Sequence, residues 1–201
     1  MEWHLVLVTF GLIFPVELPD KTFVAALVLS TRYRPLAVWI GVGLAFAVQC
    51  LVAVSAGHLV SLLPDWVIQV VSTAMFFAGA VILYRTAAGA EAAEKAQEES
   101  FTAKAAGGLS AWRAVGASFL VLFAAEWGDL SQLLTLNLAA KYEAPVSVFI
   151  GAWAALLAVS GLAVLGGRVL LSYLRLSWLH YLSATVCLVF ATVGVVQLTL
   201  G

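Results

Sequence analysis

Phe14-Pro15-Val16-Glu17-Leu18-Pro19-Asp20-Lys21-Thr22-Phe23 sits in the middle of an apolar run that extends over about 4–30. Two acids one turn apart, with Pro15 before them and Pro19 between them, interrupt a segment otherwise long enough to cross a bilayer, which takes roughly 20 apolar residues. The same arrangement occurs once more, as Glu126-Trp127-Gly128-Asp129-Leu130-Ser131-Gln132, within an apolar run over about 113–139. An acid at the centre of a membrane helix costs about 2.5–3.5 kcal/mol on an insertion scale. Such residues persist where they pair, face water or bind something.

The composition around these motifs is that of a membrane protein. Of 201 residues, 63% are hydrophobic and only 10% charged, and the mean hydropathy is +1.04. A soluble chain of this size would lack the polar residues to cover its surface. A net charge of −1 provides no basic field for nucleic acid. Cys50 and Cys187 stand in apolar runs without metal-site spacing and read as small packing residues.

Six apolar stretches qualify as spans: 4–30, 36–62, 66–84, 113–139, 146–171 and 178–200. Trp3, Tyr33, Trp66, Tyr84, Trp112, Tyr142 and Trp178 fall near their ends, the aromatic-belt position. The first run begins with an acid, has no basic segment and carries charges at its centre, so it does not read as a cleaved signal peptide. Joints one, three and five hold Arg32, Arg34, Arg85, Lys95, Lys104, Arg113, Arg168 and Arg175, whereas the other side holds only Lys141. By the positive-inside rule both termini face away from the cytoplasm. The polar stretch 85–112 reads as a solvated cytoplasmic linker, with capacity for a short exposed helix ending near Gly107-Gly108.

Sliding the chain against itself by 109–110 residues superimposes Glu17-Leu18-Pro19-Asp20 on Glu126-Trp127-Gly128-Asp129, and, allowing one gap, Pro35 on Pro145, Gly41 on Gly151 and Gly57 on Gly167. Residues 1–84 and 113–201 thus read as two repeats of three spans each. An odd number of spans inverts the second copy relative to the first, an architecture of secondary transporters that places the site at the repeat interface near the midplane. The expected fold is therefore an all-α integral membrane protein of six helices in two inverted three-helix repeats.

Glu17, Asp20, Glu126 and Asp129 are the expected metal ligands. Read as continuous helices, each pair would lie on one face, one turn apart, and the repeat would bring all four together. Lys21 would pair with Glu17 at i,i+4, while its counterpart is Leu130, which leaves the cluster acidic. Hard carboxylate oxygens suit Mg²⁺, Ca²⁺ or Mn²⁺. Thr22, Ser131, Gln132 and Gln49 are candidate supporting oxygens, with back-bonding to their own helices as the alternative for Thr22 and Ser131. Pro15, Pro19 and Gly128 are the expected helix breaks: the prolines free the carbonyls of Gly11 and Pro15, as discontinuous transporter helices do around cations. His4, His58 and His180, near span ends, read as interfacial residues.

At these motifs the chain resembles a family of manganese/calcium–proton exchangers, found in the Golgi of animals and fungi, in plant chloroplasts and as bacterial manganese exporters. That family carries two copies of Glu-x-Gly-Asp-(Lys/Arg)-(Thr/Ser), one in each inverted half. Here Pro19 replaces the first glycine and Leu130 the second basic residue. The resemblance implies that Glu17, Asp20, Glu126 and Asp129 bind the cation and couple it to protons. It also implies a transporter and not an enzyme, with the metal as substrate and no cofactor. Crowded carboxylates that hold either protons or a metal ion give exchange. With no organelle-targeting segment read in the chain, the expected setting is a bacterial plasma membrane, across which Mn²⁺ or Ca²⁺ would leave the cytoplasm. Two other readings fit parts of the pattern: a proton-coupled exporter of small solutes such as amino acids, and an intramembrane metal-dependent hydrolase using Asp20 and Asp129.

Overall fold

Proline fixes where the long helices begin. Lacking an N–H, it suits the first turn, where that group has no intrahelical partner. In the computed structural model of the chain, which describes residues 2–18, 20–104, 110–173 and 176–200, Pro35 opens one helix, Pro145 another, and Pro64 caps a third. Among the described residues every regular element is helical. They are α1 (Trp3–Glu17), α2 (Lys21–Arg32), α3 (Pro35–Val60), α4 (Asp65–Thr86), a 3-10 turn over Ala87–Gly89, α5 (Ala90–Lys104), α6 (Ala111–Ala125), α7 (Leu130–Tyr142), α8 (Pro145–Tyr173) and α9 (Leu176–Leu200).

Helices α3, α4, α8 and α9 each contain a stretch long and apolar enough to cross a membrane. Helices α6 and α7 together make a fifth candidate, bent by 75° at their junction. The run expected as one span over 4–30 is two short apolar helices, α1 and α2. At 1.5 Å per residue, the 15 residues of α1 reach about 22 Å, short of a hydrocarbon core of about 30 Å. Large apolar side chains such as Leu7, Leu36, Leu51, Leu59, Leu165 and Val189 face outward, which suits lipid. Trp3, Trp66, Tyr84, Trp112 and Trp178 are exposed as an aromatic belt requires, whereas Tyr33 is buried in the core. It caps the C-terminal end of α2.

Helices α3 and α8 pack on each other at the centre. Their indoles lock the crossing: Trp39 Nε1 donates to the Leu157 carbonyl at 3.0 Å, and Trp153 Nε1 to the Gly43 carbonyl at 2.9 Å. The remaining contacts come in matched pairs. Helix α1 lies on α8 as α6 lies on α3, α2 on α8 as α7 on α3, and α4 packs along α9. The crossings even use equivalent residues. A Cβ on Gly151 would come within 2.6 Å of the Val6 carbonyl and 2.8 Å of Thr9 Cβ. A Cβ on Gly41 would meet the Val115 carbonyl and come within 3.0 Å of Ser118 Cβ. Small residues allow such close approach where lipid offers no hydrophobic drive between helices.

The stretch read as a solvated linker is helical over Ala90–Lys104 and docks on α2 and α9, burying Ala90 and Phe101. One aromatic in an otherwise Ala/Glu/Lys sequence is enough to fix that side to the core. Gly107-Gly108 and the Gly167 side of its repeat match lie outside the described residues and side chains.

Gly41→Ala and Gly151→Ala each push a methyl group into a backbone carbonyl that cannot rotate away. Each variant is expected to lose about 1–3 kcal/mol of stability, read as a lower unfolding temperature in detergent. Gly116→Ala, which meets nothing within 4 Å, should match the parent, and equal stability of all three would show that these crossings are loosely packed.

Candidate metal centre

Each acidic motif folds as a helix break. In the first, Glu17 ends α1, and Asp20, extended at φ −92° and ψ 170°, caps the start of α2. In the second, Glu126 follows the last residue of α6, and Asp129, extended at φ −70° and ψ 164°, caps α7. The same hydrogen bond closes both turns: Asp20 N–H donates to the Glu17 carbonyl at 3.1 Å, and Asp129 N–H to the Glu126 carbonyl at 3.2 Å. The expectation of two acids stacked on one continuous helix face is therefore corrected. A non-helical turn separates them, so the i,i+4 relation between Glu17 and Lys21 is lost as well. Pro19 and the side chain of Lys21 lie outside the described residues and side chains.

The causes of the breaks are partly visible. Gly128 sits at φ +76°, in the left-handed region that favours glycine. Gln132 Oε1 accepts from the Gly128 N–H at 2.8 Å and so satisfies a group the break releases. On the other side, proline at 19 leaves the Pro15 carbonyl without its helical donor. The Ser183 hydroxyl of α9 sits between that carbonyl and the Leu179 carbonyl, 2.9 Å away on its own helix. Gln49, on α3, donates from Nε2 to the Phe123 carbonyl in the last turn of α6 at 3.1 Å.

Folding brings three of the four expected acids together. One oxygen each from Glu17, Asp20 and Glu126 lies within 4.8 Å of the others. Ligands at about 2.3–2.6 Å from a common hard cation stand at most about 5 Å apart, so this spacing fits one ion. Glu17 and Glu126 are 1% and 3% exposed. The hydroxyls of Thr22 and Ser131 stand beside the Glu17 carboxylate without closing a well-formed hydrogen bond to it. Asp129 is outside the trio. It acts on Glu17 through space, while its Oδ2 lies 3.5 Å from the Ser131 N–H at the start of α7.

The supporting residues divide by role. Gln49, Ser131 and Gln132 line a small cavity with Glu126 and Thr135, and two of them already brace the break in α6–α7. Thr135 back-bonds to the Ser131 carbonyl at 2.7 Å. Ser183 and Thr135 escape a sequence reading. The freed Pro15 carbonyl signals that a donor is needed, but nothing in the chain says that it comes from 168 residues away.

A family model described as divalent cation/proton antiporter GDT1 matches residues 5–91 and 114–200. The chain is 31% identical over 210 residues to GDT1-like protein 1, chloroplastic, of Oryza sativa subsp. indica, covering 94% of this chain and 61% of the relative. It is 31% identical over 207 residues to Protein PAM71, chloroplastic, of Arabidopsis thaliana, covering 94% and 56%. It thus spans less than two thirds of these plant relatives. Against GDT1-like protein sll0615 of Synechocystis sp. it is 33% identical over 160 residues, covering 76% and 77%. No solved structure matches the chain at a significant level.

The left-handed turn at Gly128 yields a direct test. Gly128→Ala is expected to cost about 1–2 kcal/mol from the strained backbone alone, and Gly128→Val more, because a β-branched residue fits φ > 0 least. Gly128→Asn should be the mildest. Unfolding in detergent measures the order, and an alanine variant as stable as the parent would mean that the turn readily relaxes.

Proposed function

This chain belongs to the divalent cation/proton antiporter family GDT1, whose model matches both of its halves, and we propose that it exchanges Mn²⁺ or Ca²⁺ for protons and exports the metal from the cytoplasm. The family consists of transporters and not enzymes, so the metal is a substrate and the hydrolase reading falls away. The observation that carries the proposal is the trio of Glu17, Asp20 and Glu126 oxygens within 4.8 Å of one another, with Glu17 and Glu126 buried and Asp20 half-buried. Two adjacent helix breaks supply it.

In the proposed mechanism Glu17, Asp20 and Glu126 ligate the cation, and Asp129 completes the site when the α6–α7 turn shifts toward Glu17. Thr22 and Ser131 offer hydroxyl oxygens beside Glu17. Gln49 and Gln132 hold the turn that carries Glu126. Carboxylates this close repel one another when all are ionised, so the site fills with either protons or a divalent ion, and taking up one releases the other. That competition is the exchange.

Alternating access follows from the proposed six spans in two inverted repeats, over 1–84 and 113–201: α1 with α2, α3 and α4 make up the first, and α6 with α7, α8 and α9 the second, α4 and α6 each running two residues past these bounds. Support comes from the two matched stretches of equal length, the matching Gly41 and Gly151 crossings and the matching turns at Asp20 and Asp129. Rocking one repeat against the other would open the site to each side in turn. The Lys/Arg bias supports termini outside the cytoplasm and the 85–112 segment inside. The cyanobacterial relative fits a bacterial plasma membrane.

Proteoliposomes holding an internal pH dye test this directly. Adding Mn²⁺ or Ca²⁺ across an imposed pH gradient should change the internal pH, whereas empty liposomes stay flat. Glu17→Gln and Glu126→Gln, each shown to be folded by chromatography, should bring the signal down to the empty-liposome level. Retained metal-driven proton flux in both variants would overturn the site, and a response to amino acids but to no metal would replace the substrate.

A further inference from the structure

Helices α4 and α7 run antiparallel along a seam that leads from the acidic site to the end of the bundle where α9 finishes. Its inner end is Leu130, the residue after Asp129, whose methyl carbons lie 3.4 Å from where a Cβ on Gly79 would be. Further out, Asn137 Nδ2 meets Met75 Sδ at 3.5 Å. At the outer end Ile68 and Gln69 face Ala140, Lys141 and Glu143 across a cavity of about 210 Å³. Ile68, Ser72, Met75 and Gly79 follow one another at i, i+4, i+7 and i+11, one stripe of α4. Leu130, Leu134, Asn137 and Lys141 repeat the same spacing on α7.

Two polar groups on these stripes are unspent. Asn137 and Ser72 are 3% and 2% exposed. Among the described residues neither Asn137 Oδ1 nor Ser72 Oγ has a hydrogen-bond partner. A buried polar atom left unpaired costs about 1–3 kcal/mol, and native proteins place water or an ion at such atoms. Neither residue belongs to the acidic motifs.

We infer that the α4–α7 seam is a hydrated proton route, with Ser72 and Asn137 as its relay and Leu130 against Gly79 as its inner plug. The proposal rests on the antiport reading above. The passenger is the proton and not the metal. From the mouth to Leu130 the stripes offer a hydroxyl, an amide and a thioether but no carboxylate, and a divalent ion in a low-dielectric passage needs compensating charge. At the mouth Lys141, bonded to Gln197 Oε1 at 3.0 Å, shares the cavity with Glu143, so both signs of charge stand there and the discrimination lies further in, where the stripes carry no carboxylate. Water held by Ser72 and Asn137 passes protons without either group being ionised.

Cysteine accessibility tests hydration without reference to transport. In a Cys50→Ala, Cys187→Ala background, Ser72→Cys and Asn137→Cys should react with a small charged thiol reagent added at the Lys141 end. The expected rate is about tenfold or more above that of Ala191→Cys, a buried α9 position in the same core. Rates equal to that control would overturn the route. In the liposome assay Asn137→Leu should slow metal-driven proton flux about tenfold, with Mn²⁺ binding by calorimetry unchanged. Flux at the parental rate would overturn the relay. Leu130→Ala should raise proton leak without metal, and a leak equal to the parent's would remove Leu130 from the route. A parent that moves no protons with any metal, yet labels at Ser72→Cys and Asn137→Cys, would sink the antiport reading and leave the seam hydrated.

Discussion

A helix that breaks inside a membrane must give its freed backbone groups new partners, because lipid offers none. The two motif turns of this chain obey that constraint, and much of the surrounding structure follows from it. Asp20 and Asp129 each donate their N–H to a carbonyl three residues earlier. Gln132 takes the Gly128 N–H, Gln49 reaches from α3 to the Phe123 carbonyl, and Ser183 reaches from α9 to Pro15. The breaks are thus held from neighbouring helices, not only from within. The same turns end one helix at a glutamate and start the next at an aspartate, which is how acids from two short helices point into one space.

Holding the breaks requires the surrounding helices to come close, and the chain meets that with glycine where bulk would interfere. Gly41 lets α6 approach α3, and Gly151 lets α1 approach α8, at positions equivalent under the sequence shift. The reciprocal indole bonds of Trp39 and Trp153 fix the α3–α8 crossing between them. A site assembled from both halves depends on this central pair, since α3 carries Gln49 to the second break and α8 carries the face on which α1 and α2 rest.

The sequence predicted well what depends on composition and local chemistry. The span expected over 36–62 is Pro35–Val60, and that over 178–200 is Leu176–Leu200, because hydropathy fixes both and Pro35 marks the start of the first. It identified Glu17, Asp20 and Glu126, which the fold gathers, and it expected a break at Gly128, where the second one lies, whereas Pro15, also expected as a break, stays inside α1. It erred where the outcome depends on partners distant in sequence. The prolines in the run over 4–30 signalled freed carbonyls, but not that a full non-helical turn would separate Glu17 from Asp20, so a helix-face argument replaced a turn. Tyr33 and Phe101 were read from their polar surroundings, yet both are buried by helices that meet them only in three dimensions.

The halves match in crossings, in turns and in the residues that carry the acids, but not at the position just after the aspartate. There the first half has Lys21 and the second Leu130. A lysine thus follows Asp20 in sequence and a leucine follows Asp129, although the backbones of the two aspartates are alike. Asp20 is drawn into the trio, while Asp129 stays at its cap beside Ser131. Leucine at 130 also does something a lysine would not: it fills the space against Gly79 without leaving a charge to satisfy in the seam between α4 and α7. On the proposed inverted-repeat architecture, two repeats that were identical throughout would offer the same path to each side of the membrane. On the antiport reading, this one apolar substitution is where the chain separates the way protons reach the site from the way the metal does.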